Sequence, residues 1–337
     1  MTEKKNIGFI SFLQVIGPIM VVLGHSLNGL SVSHSNPWYI FSKDWIYYFH
    51  MPLFFMISGY LLAVKSWMGN KSYWQFVKSK FLRLMVPYLV WNIAFCIPKI
   101  FLNEFLGDAP VDFWSMVKAF VFPRENIWGH TWYLMAAFII YLMTPFWKKL
   151  FTSGKAVAIC AIVVGVVLYG LPINTFFLCL NDLHRDLLFF FMGCFLGSNV
   201  TEEFFNRMFK GKKVFVYAGI MVAVSAVFLF LVDKDAIYLQ FIPCFVILWT
   251  LISIGVNVNC NNVVLYLSKN SFAIYIMHWP IMIGVRIVLH QTLNLPIAVT
   301  AVAMSVLGYA IPLVVVFVVR KIKQRHISTA CKYLLGA

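Results

Sequence analysis

The sequence predicts an all-α fold: a single polytopic membrane domain over residues 1–337, built as a bundle of about ten transmembrane helices. Composition is the first reason, since 61% of the residues are hydrophobic and only 12% are charged, about half the charged fraction of a usual soluble domain. Length is the second, because apolar runs of about 20 residues recur between short polar breaks. The third is that runs such as 214–232 are apolar on every side, whereas barrel strands alternate apolar and polar residues.

The first five predicted spans lie between polar breaks. The first follows Lys4 and Lys5. Its apolar run is longer than that of a cleavable signal and lacks a small-residue cleavage site, so we expect it to remain in the protein. The next four are predominantly apolar runs. In order, the five spans are 8–30, 46–64, 81–102, 132–150 and 156–172.

The sixth span is the weakest of the second five. Its apolar core, Leu187 to Gly197, is too short to cross a bilayer alone. We expect it to need the residues before it, from about Phe176, with local thinning or a kink. The remaining four are again apolar runs of full length. In order, the five spans are 187–198, 214–232, 236–255, 272–289 and 296–319.

Charge predicts the orientation, because cytoplasmic loops retain an excess of Lys and Arg. With the N-terminus inside, 20 of the 27 basic residues and only three of the 12 acidic residues fall on the cytoplasmic side. Without the sixth span, the basic run 207–213 would lie outside. Both termini are therefore predicted to be cytoplasmic, with loops 31–45, 103–130 and 174–186 outside. This topology accounts for the net charge of +15, and no nucleic acid is predicted as a partner.

Histidines mark candidate chemistry at membrane depth, where a polar side chain is costly unless it is paired or used. His25, His50 and His130 lie at the predicted outer ends of three spans, His278 lies within the ninth, and His290 lies at the outer end of the ninth. Imidazole takes and returns a proton near neutral pH, so the group is a candidate acid/base site. The alternative for each is a packing or headgroup role. Because the first four occupy separate helices, without HExxH-like spacing, no metal site is predicted.

The first helix carries two polar side chains, Gln14 and His25, eleven residues apart. Three turns separate them, so they project from nearly the same face at a separation of about 16 Å. Gln14 is predicted to lie towards the cytoplasm and His25 towards the outside. Pro18 loosens this helix, and Gly17 and Gly24 permit close approach of another backbone or a ligand. The alternatives are a packing seam for the glycines and a helix-to-helix hydrogen bond for Gln14.

Five segments carry a family resemblance. In chain order they are VVLGHS (Val21 to Ser26), FHMPLFFMISGYLL (Phe49 to Leu62), FLRLMVPYLVW (Phe81 to Trp91), GHTWYL (Gly129 to Leu134) and SFAIYIMHWP (Ser271 to Pro280). In this order and at these spacings, the chain resembles acyltransferase family 3, the multi-pass membrane O-acyltransferases that modify cell-envelope and exported glycans, chiefly in bacteria. The second segment resembles the saccharide-modifying branch without a fused extracytoplasmic domain.

The resemblance implies a membrane enzyme of the bacterial cytoplasmic membrane. It implies transfer of an acyl group, usually acetyl, from cytoplasmic acyl-CoA to a sugar hydroxyl on the outer side. Acetyl-CoA is then a donor and not a permanently bound cofactor. The implied partners are the lipid bilayer, acyl-CoA and a saccharide acceptor, and the oligomeric state is left open.

The donor side departs from the family pattern at one position. The family's first helix carries an arginine, ten intervening residues and a histidine; here His25 matches the histidine and Gln14 takes the arginine's place. An amide forms hydrogen bonds but lacks the arginine's fixed charge. Either another cation serves, with Arg83 matching a family arginine and Lys80 nearby, or this member is catalytically altered or inactive. The alternative for Lys80 is ordinary cytoplasmic charge, and the alternative for Arg83 is a side chain that extends to the membrane interface.

On the acceptor side, the resemblance makes His25 the base that deprotonates the acceptor hydroxyl, with a covalent acyl-histidine as the competing mechanism. Aromatic side chains of the fourth span are predicted to stack on a sugar or to hydrogen-bond its hydroxyls, the alternative being a membrane belt. The candidate acceptor-binding residues are His50, His130, Trp132, Tyr133 and His278.

Two other classes of protein stay open: a transporter of a small solute or lipid-linked sugar, and a catalytically inactive subunit of a glycan-export complex. Ten spans suit either class. A transporter predicts inverted repeats with paired broken helices, of which there is only a faint echo between Pro52 to Leu62 and Leu187 to Gly197. The ordered motifs favour an enzyme.

Overall fold

The computed structural model describes residues 8–28, 37–94, 113–125, 129–232, 237–321 and 334–335, and within these ranges the regular structure is helical, with no strand. The helices, in chain order, are α1 (Gly8–Asn28), α2 (Pro37–Val64), α3 (Tyr73–Lys80), α4 (86–94), α5 (Phe113–Val121), α6 (Trp132–Leu142), α7 (Thr144–Thr152), α8 (Lys155–Tyr169), α9 (Leu180–Asn199), α10 (Glu202–Phe209), α11 (Lys213–Phe230), α12 (Phe241–Asn257), α13 (Asn262–Lys269), α14 (Ser271–Arg286) and α15 (Ile297–Lys321). Two π-helical turns extend this list, Phe81–Met85 between α3 and α4 and Ile287–Thr292 after α14.

Four helices of the described chain are long and apolar enough to cross a membrane. They are Gly8–Leu27, Tyr39–Val64, Ser271–Thr292 and Ile297–Lys321, and they coincide with the first, second, ninth and tenth predicted spans. Two bent helix pairs raise the number to six if each pair is one span. The prediction of an all-helical membrane fold is therefore confirmed, and the number of ten spans stays a prediction.

The fourth predicted span, 132–150, differs from the expectation of one continuous helix. It is two helices, α6 and α7, which meet at an angle of 62°. The break falls at Met143, and Pro145 stands in the first turn of α7. Proline lacks the N–H that a continuing helix requires but is well suited to the first turn of a new one, which explains why the helix restarts here.

The sixth predicted span lies within α9, a helix of 20 residues that begins at Leu180 and brings polar residues into the bundle. It packs against α2 through glycines. A Cβ added at Gly193 would overlap the carbonyl oxygen of Met56, and one added at Gly59 would overlap that of Phe190. These glycines let the two backbones touch, the packing mode of membrane helices that lack a hydrophobic driving force between them. The polar start of α9 is also accommodated inside protein, since His184 and Asp186 are buried.

The first helix occupies the centre of the arrangement, since α1 contacts α2, α12, α13, α14 and α15. Its predicted close-approach positions face α2: a Cβ at Gly17 would meet the ring of Phe54, and one at Gly24 would meet Ile46 and Tyr47. Although α1 is packed on several sides, its polar side chains Gln14 and His25 line open space.

Candidate active site

Two cavities open along α1. One, the basic cavity, is lined by Gln14, and the other, the histidine cavity, is lined by His25. Gln14 and His25 are eleven positions apart, which corresponds to a rise of about 16 Å along the helix. One helix therefore contributes a polar side chain to each of two chemically different cavities.

The basic cavity has a volume of about 190 Å³ and gathers cations with hydroxyl groups. Lys80 and Arg83 reach it from successive turns at the junction of α3 and the following π-helical turn, and Lys65 reaches it from the end of α2. A capping box in which the Ser72 hydroxyl accepts from the Gln75 backbone N–H starts α3 and sets this register. The arrangement provides positive charge beside the Gln14 amide.

Aromatic and hydroxyl groups also line the basic cavity. The Lys80 ammonium lies 3.6 Å from the ring centroid of Tyr141. Burial lowers the pKa of Lys80, and contact with Tyr141 opposes that effect without cancelling it. The hydroxyls of Ser58 and Tyr133 lie 2.9 Å apart and hydrogen-bond each other. These residues offer both a flat surface and hydrogen-bonding groups to an elongated ligand.

The histidine cavity has a volume of about 390 Å³ and contains three of the predicted acceptor residues, His50, His130 and Trp132, together with His25. His50 and His130 are buried, at 4% and 8% exposure. The His50 Nδ1 lies 2.9 Å from the carbonyl oxygen of Ile46 one turn earlier, so Nδ1 carries the proton and Nε2 the lone pair in the neutral ring. Imidazole groups of this kind can exchange protons with a bound hydroxyl.

His278 stands behind this cavity and joins its histidines. It is fully buried, and its ring centroid lies 5.2 Å from that of His25 and 5.2 Å from that of His130. Its Nδ1 lies 2.7 Å from the carbonyl oxygen of Tyr275, which assigns the proton to Nδ1. Its Nε2, like the Nδ1 of His25, is buried without a hydrogen-bond partner among the described residues. His278 thus contacts the rings of His25 and His130 and does not line the space that a ligand would occupy.

Charged groups missed by sequence reasoning complete the histidine cavity. The Arg124 Nε donates to Asp182 at 2.9 Å, and its second nitrogen also bonds that carboxylate. The guanidinium lies 4.2 Å from the ring centroid of Trp132. Burial lowers the pKa of Arg124, but the hydrogen bond and the charge of Asp182 raise it by more, so the guanidinium stays protonated. Arg185 and Asp186 line the same cavity.

Two candidate acceptor-binding residues, His278 and Tyr133, do not line the histidine cavity. Tyr133, expected beside Trp132 on the acceptor side, lines the basic cavity instead. Successive helical residues point about 100° apart, so α6 presents Trp132 to one cavity and Tyr133 to the other. His290, a further histidine at the predicted outer end of the ninth span, lines neither cavity, and its Nδ1 lies 3.2 Å from the carbonyl oxygen of Leu295.

The geometry defines a class: a helical membrane protein whose basic cavity suits an anionic ligand and whose histidine cavity suits proton transfer to or from a second one. Sequence comparison assigns the family within this class. The chain belongs to acyltransferase family 3, since the family's acyltransferase domain matches residues 7–319. The resemblance inferred from the five segments is confirmed.

Two curated relatives match part of the chain. Nodulation protein NolL of Sinorhizobium fredii (strain NBRC 101917 / NGR234) is 30% identical over 219 residues, which are 64% of this chain and 55% of that protein. Nodulation protein NolL of Mesorhizobium japonicum (strain LMG 29417 / CECT 9101 / MAFF 303099) is 26% identical over 155 residues, 42% of this chain and 36% of that protein. The matches therefore span about half of the first relative and a third of the second. No solved structure matches the chain significantly.

Proposed function

We propose that this acyltransferase is a membrane O-acetyltransferase that moves an acetyl group from cytoplasmic acetyl-CoA to a hydroxyl of a cell-envelope or exported saccharide on the outer side. The observation that carries the proposal is the pair of cavities on α1, with Gln14, Lys80 and Arg83 around one and His25 in the other. A donor rich in phosphate and an acceptor rich in hydroxyl groups need these two environments.

The basic cavity is the proposed donor site. Coenzyme A carries phosphates, and Lys80 and Arg83 supply the cations that bind them. Gln14 hydrogen-bonds a carbonyl or phosphate oxygen of the donor. The hydroxyls of Ser58 and Tyr133 face the same space and suit the amide groups of the pantetheine arm. This assignment moves Tyr133 from the acceptor to the donor.

The histidine cavity is the proposed acceptor site. His25 takes the proton of the attacking hydroxyl while the hydroxyl oxygen forms a bond to the acyl carbon, and the bond from that carbon to sulfur breaks. The proton then passes from His25 to the departing sulfur, so coenzyme A leaves as a thiol. His50, His130 and Trp132 bind and stack on the sugar, and Arg124 holds Trp132 in place. His278 positions the ring of His25 from behind.

The proposed topology has ten spans with both termini in the cytoplasm of a bacterium, which puts the basic cavity inside and the histidine cavity outside. Parts of the predicted outer loops 31–45 and 103–130 lie outside the described residues, so 174–186 is the better place for a test. Asn174 and Ser153 are both exposed on the protein, so the side of the membrane alone decides which of them an impermeant reagent reaches. An impermeant maleimide added to intact cells should label Asn174→Cys and should not label Ser153→Cys. The reverse pattern would exclude this topology.

Transfer itself is tested with the purified protein in liposomes, acetyl-CoA labelled in the acetyl group, and saccharides extracted from the envelope. Mass spectrometry of envelope glycans from cells with and without the intact gene identifies the acceptor. Labelled O-acetyl esters that depend on the protein are expected. Solute uptake without transfer would favour the transporter, and neither activity would favour the inactive subunit of a glycan-export complex.

A further inference from the structure

Tyr275 lies where the two cavities meet. It lines the basic cavity and the histidine cavity, and no other described residue lines both. Its side chain is only 4% exposed. It belongs to the segment Ser271 to Pro280, whose histidine is part of the histidine cluster but whose tyrosine has so far no function.

Tyr275 contacts the histidine cluster and residues that line the basic cavity. Its hydroxyl donates to the backbone carbonyl of His130, and its own carbonyl accepts the Nδ1 proton of His278. On the other side its ring centroid lies 5.8 Å from that of Tyr133 and 6.2 Å from that of Phe54, and both of these rings line the basic cavity. One aromatic side chain thus closes the basic cavity against the histidine cluster.

A closed wall is incompatible with acyl transfer between the two cavities. The proposed acceptor site contains His25, whereas the cations proposed to hold the donor line the other cavity together with Gln14, which is about 16 Å from His25 along α1. The thioester must therefore cross the wall while the phosphates stay with Lys80 and Arg83. The pantetheine arm is a thin, flexible chain, so the movement of one side chain opens enough space for it.

We infer that Tyr275 is a gate: it seals the basic cavity from the histidine cavity at rest and swings aside to admit the acyl-bearing arm of the donor. That the acyl-bearing arm of acetyl-CoA passes the gate rests on the proposed function. The seal between the two cavities does not depend on it. Opening needs a rotation of the side chain and the loss of its hydrogen bond to the His130 carbonyl. A resting seal also prevents water and ions from leaking through the bundle.

The seal can be tested without any donor. Met51 lines the histidine cavity and is half-buried, so a Met51→Cys variant places a thiol beyond the gate. A small anionic methanethiosulfonate reagent, which the cations of the basic cavity admit, is added to oriented liposomes from the basic-cavity side. Mass spectrometry of the peptide that contains residue 51 measures the modification rate. Reading that peptide alone leaves the native cysteines in place.

Combining Met51→Cys with Tyr275→Ala or Tyr275→Leu should raise this rate by about tenfold or more, because a close-packed aromatic wall excludes the reagent. Tyr275→Phe keeps the ring but lacks the hydrogen bond to the His130 carbonyl, so it should raise the rate by less than Tyr275→Ala does. The matched control is Tyr309→Ala, which removes a tyrosine of α15 that lines neither cavity. An unchanged rate in both Tyr275→Ala and Tyr275→Leu, with thermal midpoints near the parent, would overturn the gate, as would an equal increase in Tyr309→Ala.

Adding acetyl-CoA separates the gate from the proposed function. If both hold, Tyr275→Ala should hydrolyse acetyl-CoA in the absence of saccharide, because water from the histidine cavity reaches the thioester. If the parent protein transfers no acetyl group while the labelling pattern is as expected, the gate stands and the acetyltransferase proposal fails. If the parent transfers the acetyl group and Tyr275→Ala has no effect on labelling, the acetyltransferase proposal stands and the gate fails.

Discussion

The imidazole rings of His25 and His278 lie with their centroids 5.2 Å apart, although the two residues belong to helices at opposite ends of the chain. The contact between α1 and α14 brings them together. His278 gives its Nδ1 proton to carbonyl oxygens of its own helix, so its remaining nitrogen presents a lone pair to the cluster. Trp279, with its ring centroid 4.8 Å from that of His25, completes a cage that limits the rotation of the proposed base.

His25→Ala should abolish acyl transfer with the protein still folded and inserted. Loss of a positioned general base typically costs about 10²–10⁴ in rate. The matched control is His290→Ala, which removes a histidine that lines neither cavity, and it should transfer at close to the parent rate. The measurement is the initial rate of labelled acetyl transfer to saccharide. Activity of His25→Ala within about threefold of the parent would remove His25 from the mechanism, because loss of a general base should reduce the rate by about 10²–10⁴.

Arg124→Ala should weaken acceptor binding without changing donor binding. The substitution removes the cation over Trp132 and leaves the Asp182 carboxylate without its partner. Both lie in the histidine cavity, away from the residues proposed for coenzyme A. We expect a rise in the KM for saccharide and an unchanged dissociation constant for acetyl-CoA. Arg207→Ala, at an exposed position of α10, is the control. A change in the acetyl-CoA constant alone would contradict this assignment of the two cavities.

The helical class and the two polar positions of α1, Gln14 and His25, were predictable, because they follow from local composition and helical spacing. The contacts of Arg124 with Asp182 were not, since 58 residues separate them and each looks in the sequence like an ordinary loop charge. Tyr133 was misplaced for a different reason: its neighbour Trp132 has similar chemistry, and only the rotation of α6 about its axis decides which cavity each one faces. The break at Met143 was not predicted, because the hydrophobicity of 132–150 predicts one helix and takes no account of the effect of Pro145 on helix continuity.

Gly193→Ala should destabilise the protein, although alanine is normally the better helix former by about 0.5–1 kcal/mol. The added methyl group would overlap the backbone of α2 at Met56, so the helices must separate, and overpacking of this kind typically costs about 1–3 kcal/mol. The control is Gly219→Ala, where a Cβ meets nothing within 4 Å. Thermal unfolding in detergent should show a lower midpoint for Gly193→Ala and an equal or higher one for Gly219→Ala. Equal midpoints for the parent and Gly193→Ala would contradict the close packing of α2 and α9.

Gln14 and Arg83 line the same basic cavity, which lets their contributions to donor binding be compared. If Gln14 acts by hydrogen bonding and Arg83 supplies the charge, Arg83→Gln should weaken acetyl-CoA binding more than Gln14→Ala. A hydrogen bond to a charged group is typically worth about 1.5–3 kcal/mol, against about 0.5–1.5 kcal/mol for a neutral one. Gln14→Arg should bind the donor as tightly as the parent or more tightly, because its position already faces the proposed phosphate site and family members carry arginine there.

Isothermal titration of acetyl-CoA into the purified parent and these three variants measures the order directly. Lys210→Gln serves as a charge-matched control, since Lys210 is exposed and lines neither cavity, and its dissociation constant should equal that of the parent. Equal losses for Arg83→Gln and Gln14→Ala would show that the charge of Arg83 is not what holds the donor. If the parent binds no donor at millimolar acetyl-CoA and Gln14→Arg restores no binding, the cations of this cavity do not bind the phosphates of coenzyme A. That result would exclude an acetyl-CoA-dependent enzyme and leave the transporter or the inactive subunit as the interpretation.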